Sequence, residues 1–165
     1  MKKLIFIITG LFFCLGVYSQ SDSTQPPYKR YPTFPPVKLL LPGKTTYFTK
    51  DDIPKKTASL LIVFSPMCEH CQHETAEIIK NIDKFKDVEI VMATMMPYDS
   101  MMSFREKYEL TKYENIVVGQ DTQYLLPSFY MIRNLPFLAL YDKKKELIRV
   151  FEHSMNIEEV IEAFK

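Results

Sequence analysis

The chain is poor in cysteine. It holds three among 165 residues, too few for the several bridges of a disulfide-stapled small domain. It also lacks an excess of either charge. Lys and Arg number 21 against 20 Asp and Glu, and that balance leaves no footprint for nucleic acid or for an anionic membrane surface. The longest apolar run, from Leu4 to Val17, spans 14 residues, whereas a membrane-crossing helix needs about 20. No internal repeat is visible.

What that first run does fit is export. Met1-Lys2-Lys3 is a short basic start, Leu4–Val17 is an apolar middle, and Val17 and Ser19 suit the small-residue rule for cleavage. Residues 1–20 therefore read as a secretory signal peptide. Lipid attachment at Cys14 is disfavoured by the bulky Phe13 just before it. Cleavage would remove Cys14, Lys2 and Lys3, leaving two cysteines and 19 basic against 20 acidic residues. About 145 residues then remain, enough for one domain with a real core. The expected location is the periplasm or cell envelope.

Residues 21–36 read as a Pro-rich linker, because Pro26, Pro27, Pro32, Pro35 and Pro36 oppose helix and sheet. Tyr28, Tyr31 and Phe34 are apolar enough to dock on the domain that follows. Residues 37–165 carry the folded-domain pattern. A β-hairpin is expected over 37–41 and 45–48 around a Pro42-Gly43 turn. Residues 59–64 are a buried strand and 68–84 a helix with Ile78, Ile79, Ile82 and Phe85 inward. Residues 88–94 are a strand, 99–109 a helix, and 115–118 a short strand. Over 122–130 a short helix is expected to break near Pro127. A hairpin follows over 137–141 and 146–151, and then a helix over 156–164 capped by Asn156. Early strand–helix alternation with a late hairpin implies an α/β domain, a mixed central sheet flanked by helices.

Chemistry concentrates where strand 59–64 meets helix 68–84, in Phe64-Ser-Pro-Met-Cys68-Glu-His-Cys71-Gln72. The first turn of a helix has backbone N–H groups without intrahelical partners and carries partial positive charge. A thiolate of Cys68 at that end is stabilised. Cys71 sits one turn on, facing the same side and more covered. The pair can close a redox-active disulfide, Cys68–Cys71, and exchange it with a substrate: Cys68 attacks, Cys71 resolves. As an inert staple the same pair would close a very small loop and stabilise little. Between them lie Glu69 and His70, whose charges push in opposite directions, so both are candidate modulators of the pair.

Two metal readings stand beside this one. Cys68, Cys71, His70 and His73 contain zinc-ligand types, but the histidine face is displaced from the cysteines, so no metal site is assigned. Met92, Met95, Met96, Met101 and Met102 crowd one segment, and soft sulfur selects Cu(I). The alternative function is thus a periplasmic copper-delivery module. Against it stands adaptable methionine packing, with Pro97-Tyr98-Asp99 interrupting the run.

A strand, a Cys-x-x-Cys helix start, and a later Asn134-Leu135-Pro136-Phe137 ahead of the last hairpin together resemble the thioredoxin-like superfamily. With the extra N-terminal β-hairpin, the chain is most similar to its exported TlpA/ResA-like branch. The resemblance covers residues 37–165. It implies a thioredoxin-like fold and a thiol–disulfide oxidoreductase acting on protein disulfides or dithiols outside the cytoplasm. Reduction is the favoured direction, with no dissociable cofactor and with electrons from a membrane-bound donor. It assigns attack to Cys68 and resolution to Cys71. Pro136 matches the proline that is cis in this fold, and the Leu135 backbone the place where a bound peptide pairs. Two positions depart from the family. Ile62 stands where thioredoxin has a buried acid, and Met67 where a tryptophan is usual. A peroxiredoxin would need a proline seven residues before Cys68, where this chain has Leu61.

Overall fold

The computed structural model describes residues 25–153 and 156–164. The signal segment assigned to residues 1–20 lies outside them. Among the described residues no helix is long and apolar enough to cross a membrane.

Seven strands form one mixed sheet: β1 (Leu39–Leu40), β2 (Tyr47–Phe48), β3 (Ala58–Val63), β4 (Val88–Thr94), β5 (Ile116–Gln120), β6 (Phe137–Tyr141) and β7 (Leu147–Glu152). Their spatial order is β2-β1-β5-β4-β3-β6-β7. β3, β4 and β5 run parallel, with Leu60 opposite Ile90 and Met92 opposite Val118. β6 is antiparallel to β3, and β7 to β6. The β1–β2 hairpin joins the far edge where Leu40 faces Gln120. Every residue of β3, β4 and β6 is buried. These runs are apolar but for Ser59, Glu89 and Thr94, the near-continuous pattern of strands covered on both faces.

Alternation along β3 divides the core. Leu60, Ile62 and Phe64 pack on one face with Ile78, Met101, Phe104 and Val160. These belong to α2 (Glu69–Lys80), α3 (Tyr98–Lys107) and α5 (Ile157–Glu162). Leu61 and Val63 point to the other face, among Phe34, Val37, Leu126 and Tyr130. That face is covered by α4 (Leu125–Tyr130), by the helical turn α1 (Pro27–Arg30), and by the segment leading into β1. Asn156 caps α5, its Oδ1 accepting the Glu158 N–H at 3.0 Å.

Three local expectations are corrected. The proline-rich stretch is not free of regular structure. Pro27 starts α1, where a missing N–H costs nothing. Beyond it, Leu147 donates its N–H to the Pro32 carbonyl and Phe34 donates to that of Lys145. Phe34 itself is 3% exposed and stacks against Tyr141 with ring centroids 5.1 Å apart. The 68–84 helix ends early, at Lys80. Asn81 leaves helical geometry, its Nδ2 takes the Glu77 carbonyl at 2.9 Å, and a 3-10 turn carries on over Ile82–Phe85. Pro127 breaks nothing, for it stands in the first turn of α4, where proline is tolerated.

Candidate active site

β3 delivers the site. Phe64 extends its ladder by donating N–H to the Ala93 carbonyl at 3.0 Å. Ser65-Pro66-Met67 then turns the chain, closed by the Cys68 N–H on the Ser65 carbonyl at 3.1 Å. Cys68 is the N-cap of α2, in extended geometry (φ −85°, ψ 119°). N-caps are usually oxygen side chains that accept an N–H from the first turn; here sulfur takes that place. The Cys71 N–H points at the Cys68 Sγ, 3.4 Å away.

The two sulfurs differ in environment. Cys68 is half-buried and Cys71 is buried, 1% exposed. Burial pushes the Cys71 thiol from 9.0 up to about 12, against the opposing backbone N–H of Ser65. That N–H lies 3.5 Å from the Cys71 Sγ. Cys71 is therefore a neutral thiol at pH 7 in the dithiol form, held behind the more accessible sulfur.

From the opposite side comes the loop before β6. The Leu135–Pro136 peptide is cis. The Leu135 carbonyl accepts from the Cys68 Sγ at 3.7 Å. Leu135 is also packed against both core clusters. Residues 67 apart in sequence thus meet at one sulfur, with Pro136 adjoining. Glu69 and His70 are exposed on the first turn of α2, between the two cysteines in sequence. Ile62 is buried in the core on β3, and the buried carboxyl of this region lies on α2 instead, at Glu74, 2% exposed.

Sequence reasoning missed two residues of this region. Ser65 contributes backbone N–H and C=O to the two cysteines. Gln72 bridges α2 back to the turn, its Nε2 donating to the Pro66 carbonyl at 2.8 Å. Position 72 follows the motif directly, and that adjacency was the available signal.

Among the described residues no group of three or more His, Cys, Asp or Glu is placed to hold a metal ion. The methionines are divided. Met92 and Met101 are buried on the α2 side of the sheet with Met102 packed beside them, whereas Met95 packs on the α4 side.

No family model matches the chain, and no curated protein matches it. Solved structures do. StoA from Bacillus subtilis is 18% identical, with 80% of this chain and 98% of that one covered, at a TM-score of 0.61. A secreted Mycobacterium tuberculosis disulfide oxidoreductase homologous to E. coli DsbE is 16% identical, covering 78% and 93%, at 0.64. A peroxiredoxin-like protein from Aquifex aeolicus is 15% identical, covering 79% and 82%, at 0.61. These identities speak for architecture, and the three neighbours carry different descriptions. By architecture, then, the chain has the thioredoxin-like fold.

Proposed function

We propose that this protein is a thiol–disulfide oxidoreductase that reduces protein disulfides outside the cytoplasm. The observation that carries the reading is the asymmetry of the two sulfurs. One is accessible at a helix N-terminus with a backbone N–H directed at it. The other is buried one turn behind and kept protonated by burial. An attacking and a resolving cysteine need that difference.

The Cys68 thiolate attacks one sulfur of a client disulfide. The client S–S bond breaks, a Cys68–client disulfide forms, and the second client sulfur leaves as a thiolate. Cys71 then attacks the Cys68 Sγ, the Cys68–client bond breaks, and the Cys71 proton goes to the client sulfur that this step releases, while the first-released thiolate takes its proton from water. The Cys68–Cys71 disulfide closes and the client leaves with two reduced sulfurs. Two electrons have passed from the pair to the client. A dithiol donor, membrane-bound by the TlpA/ResA-like resemblance, restores them by the same exchange in reverse. No dissociable cofactor takes part. During attack the Leu135 backbone and Pro136 hold the client chain beside Cys68. Export rests on the pattern of residues 1–20.

Two assays test the reading. The protein should accelerate insulin reduction by dithiothreitol, and Cys68→Ser should abolish the acceleration. Equilibration with glutathione should give a potential near that of thioredoxin-type reductants, about −270 mV; a value near −120 mV is that of a strong oxidant and would reverse the direction.

A further inference from the structure

A cleft of about 310 Å³ lies between Pro66–Met67 and α3. Met67 immediately precedes Cys68, so one wall of the cleft is continuous with the reacting residue. Its floor is apolar: Pro66 is buried, and Phe104 is buried against Phe64, with ring centroids 4.7 Å apart. Met67 is 76% exposed, a flexible thioether in place to fold over an incoming side chain.

The rim carries one cation. Lys107, exposed at the end of α3, lines the cleft. Its contacts are neutral: the Nζ donates to the Gln72 Oε1 at 3.1 Å and lies 5.2 Å from the centre of the Tyr108 ring. Gln72 in turn holds the Pro66 carbonyl. The ammonium is thereby tethered to the active-site turn. Among the described residues no carboxylate lies within 4 Å of it, as for most lysines of the chain.

We infer that this cleft is a client-recognition subsite for an apolar side chain next to a carboxylate, with Lys107 as the carboxylate's partner. The inference rests on the oxidoreductase reading and adds a substrate class to it: client segments in which an acidic residue and an apolar one stand beside the reacting cysteine. Charge complementarity at an exposed rim sets preference and encounter rate more than depth of binding.

The test uses two peptide disulfides that differ in one residue. In both, Leu adjoins the cysteine; the next residue is Glu in one and Lys in the other. The fully reduced protein is mixed with each, and the second-order rate constants are compared as a ratio. The ratio, Glu peptide over Lys peptide, should be about five for an exposed charge contact. It should fall to about one in Lys107→Gln and below one in Lys107→Glu. In 1 M salt, where screening acts over about 3 Å, the preference should shrink toward one. A ratio near one in the natural protein, or one that Lys107→Glu leaves in place, overturns the inference while the oxidoreductase reading stands. Failure to react with either peptide or with the small neutral disulfide of mercaptoethanol overturns both.

Discussion

The Sγ of Cys68 lies 3.4 Å from the backbone N of Cys71 and 3.7 Å from the carbonyl O of Leu135. One contact comes from its own helix and the other from the loop before β6. The first is an N–H donor aimed at the sulfur. The second brings a residue 67 positions away in sequence to the same sulfur. Cys71 stands behind, shielded by the same helix turn.

This shielding predicts selective labelling. At pH 7, iodoacetamide should modify the reduced native protein lacking residues 1–20 once, at Cys68, and a second time only after denaturation. Peptide mapping by mass spectrometry reads the site. Equal labelling of both cysteines in the native protein would contradict the burial of Cys71.

Alkaline stability should differ between the dithiol and disulfide forms. Folding favours the neutral Cys71 thiol, whose folded value near 12 lies above the ordinary 9.0. Its contribution is present in full below pH 9 and is lost as pH rises from 9 to 12. Across that window the loss reaches about 4 kcal/mol at 1.36 kcal/mol per unit. The disulfide form has no such thiol. The buried Tyr130 and Tyr141 hydroxyls, both raised mainly by burial, titrate in each form and cancel in the comparison. Guanidinium melts of both forms at pH 8, 10 and 11 should show the dithiol form alone losing about two of those three units, about 2.7 kcal/mol, by pH 11.

The N-terminal hairpin is seated by a close approach at Gly119. A Cβ there would stand 2.7 Å from the Leu39 Cβ and 3.3 Å from the Leu40 carbonyl O. Gly119→Ala should therefore push β1 off β5 and cost about 1–3 kcal/mol. Urea denaturation measures it; a change below about 0.5 kcal/mol would mean that the hairpin shifts freely.

In the core on the α4 side of the sheet the buried hydroxyls of Tyr130 and Tyr141 are hydrogen-bonded to each other. Either Tyr→Phe change alone leaves one buried hydroxyl without that partner and should cost about 1–3 kcal/mol. The double change should cost less than the sum of the two, and a double-mutant cycle gives the coupling. Strict additivity would contradict the pairing.

Much of this was legible in the order of residues. Val88–Thr94 reads as a strand and is one, because seven residues buried on both faces leave little choice. The strand–Cys-x-x-Cys–helix junction was legible because its parts are contiguous. Other features depend on partners far away in sequence. The strap over residues 32–34 pairs with the β6–β7 turn, and proline content alone gives no sign of that ladder. Tyr124 and Met131, which bracket α4, both adopt left-handed geometry (φ 53°), unusual for non-glycine residues and absent from any turn signature. The Lys107–Gln72–Pro66 chain joins residues 35 and 6 apart, visible only once α3 packs beside α2. Met92, Met95, Met101 and Met102 lie within eleven residues of sequence, yet Met95 packs on one sheet face and the other three on the opposite one.

The most direct test traps the intermediate. Cys71→Ser and Cys68→Ser variants are each mixed, reduced, with a peptide disulfide, quenched in acid and weighed by mass spectrometry. Cys71→Ser should accumulate one peptide joined to Cys68, released by dithiothreitol, while Cys68→Ser should stay unmodified over the same time. An adduct on Cys71 in the Cys68→Ser variant, formed as quickly, would contradict the division of labour between the two sulfurs.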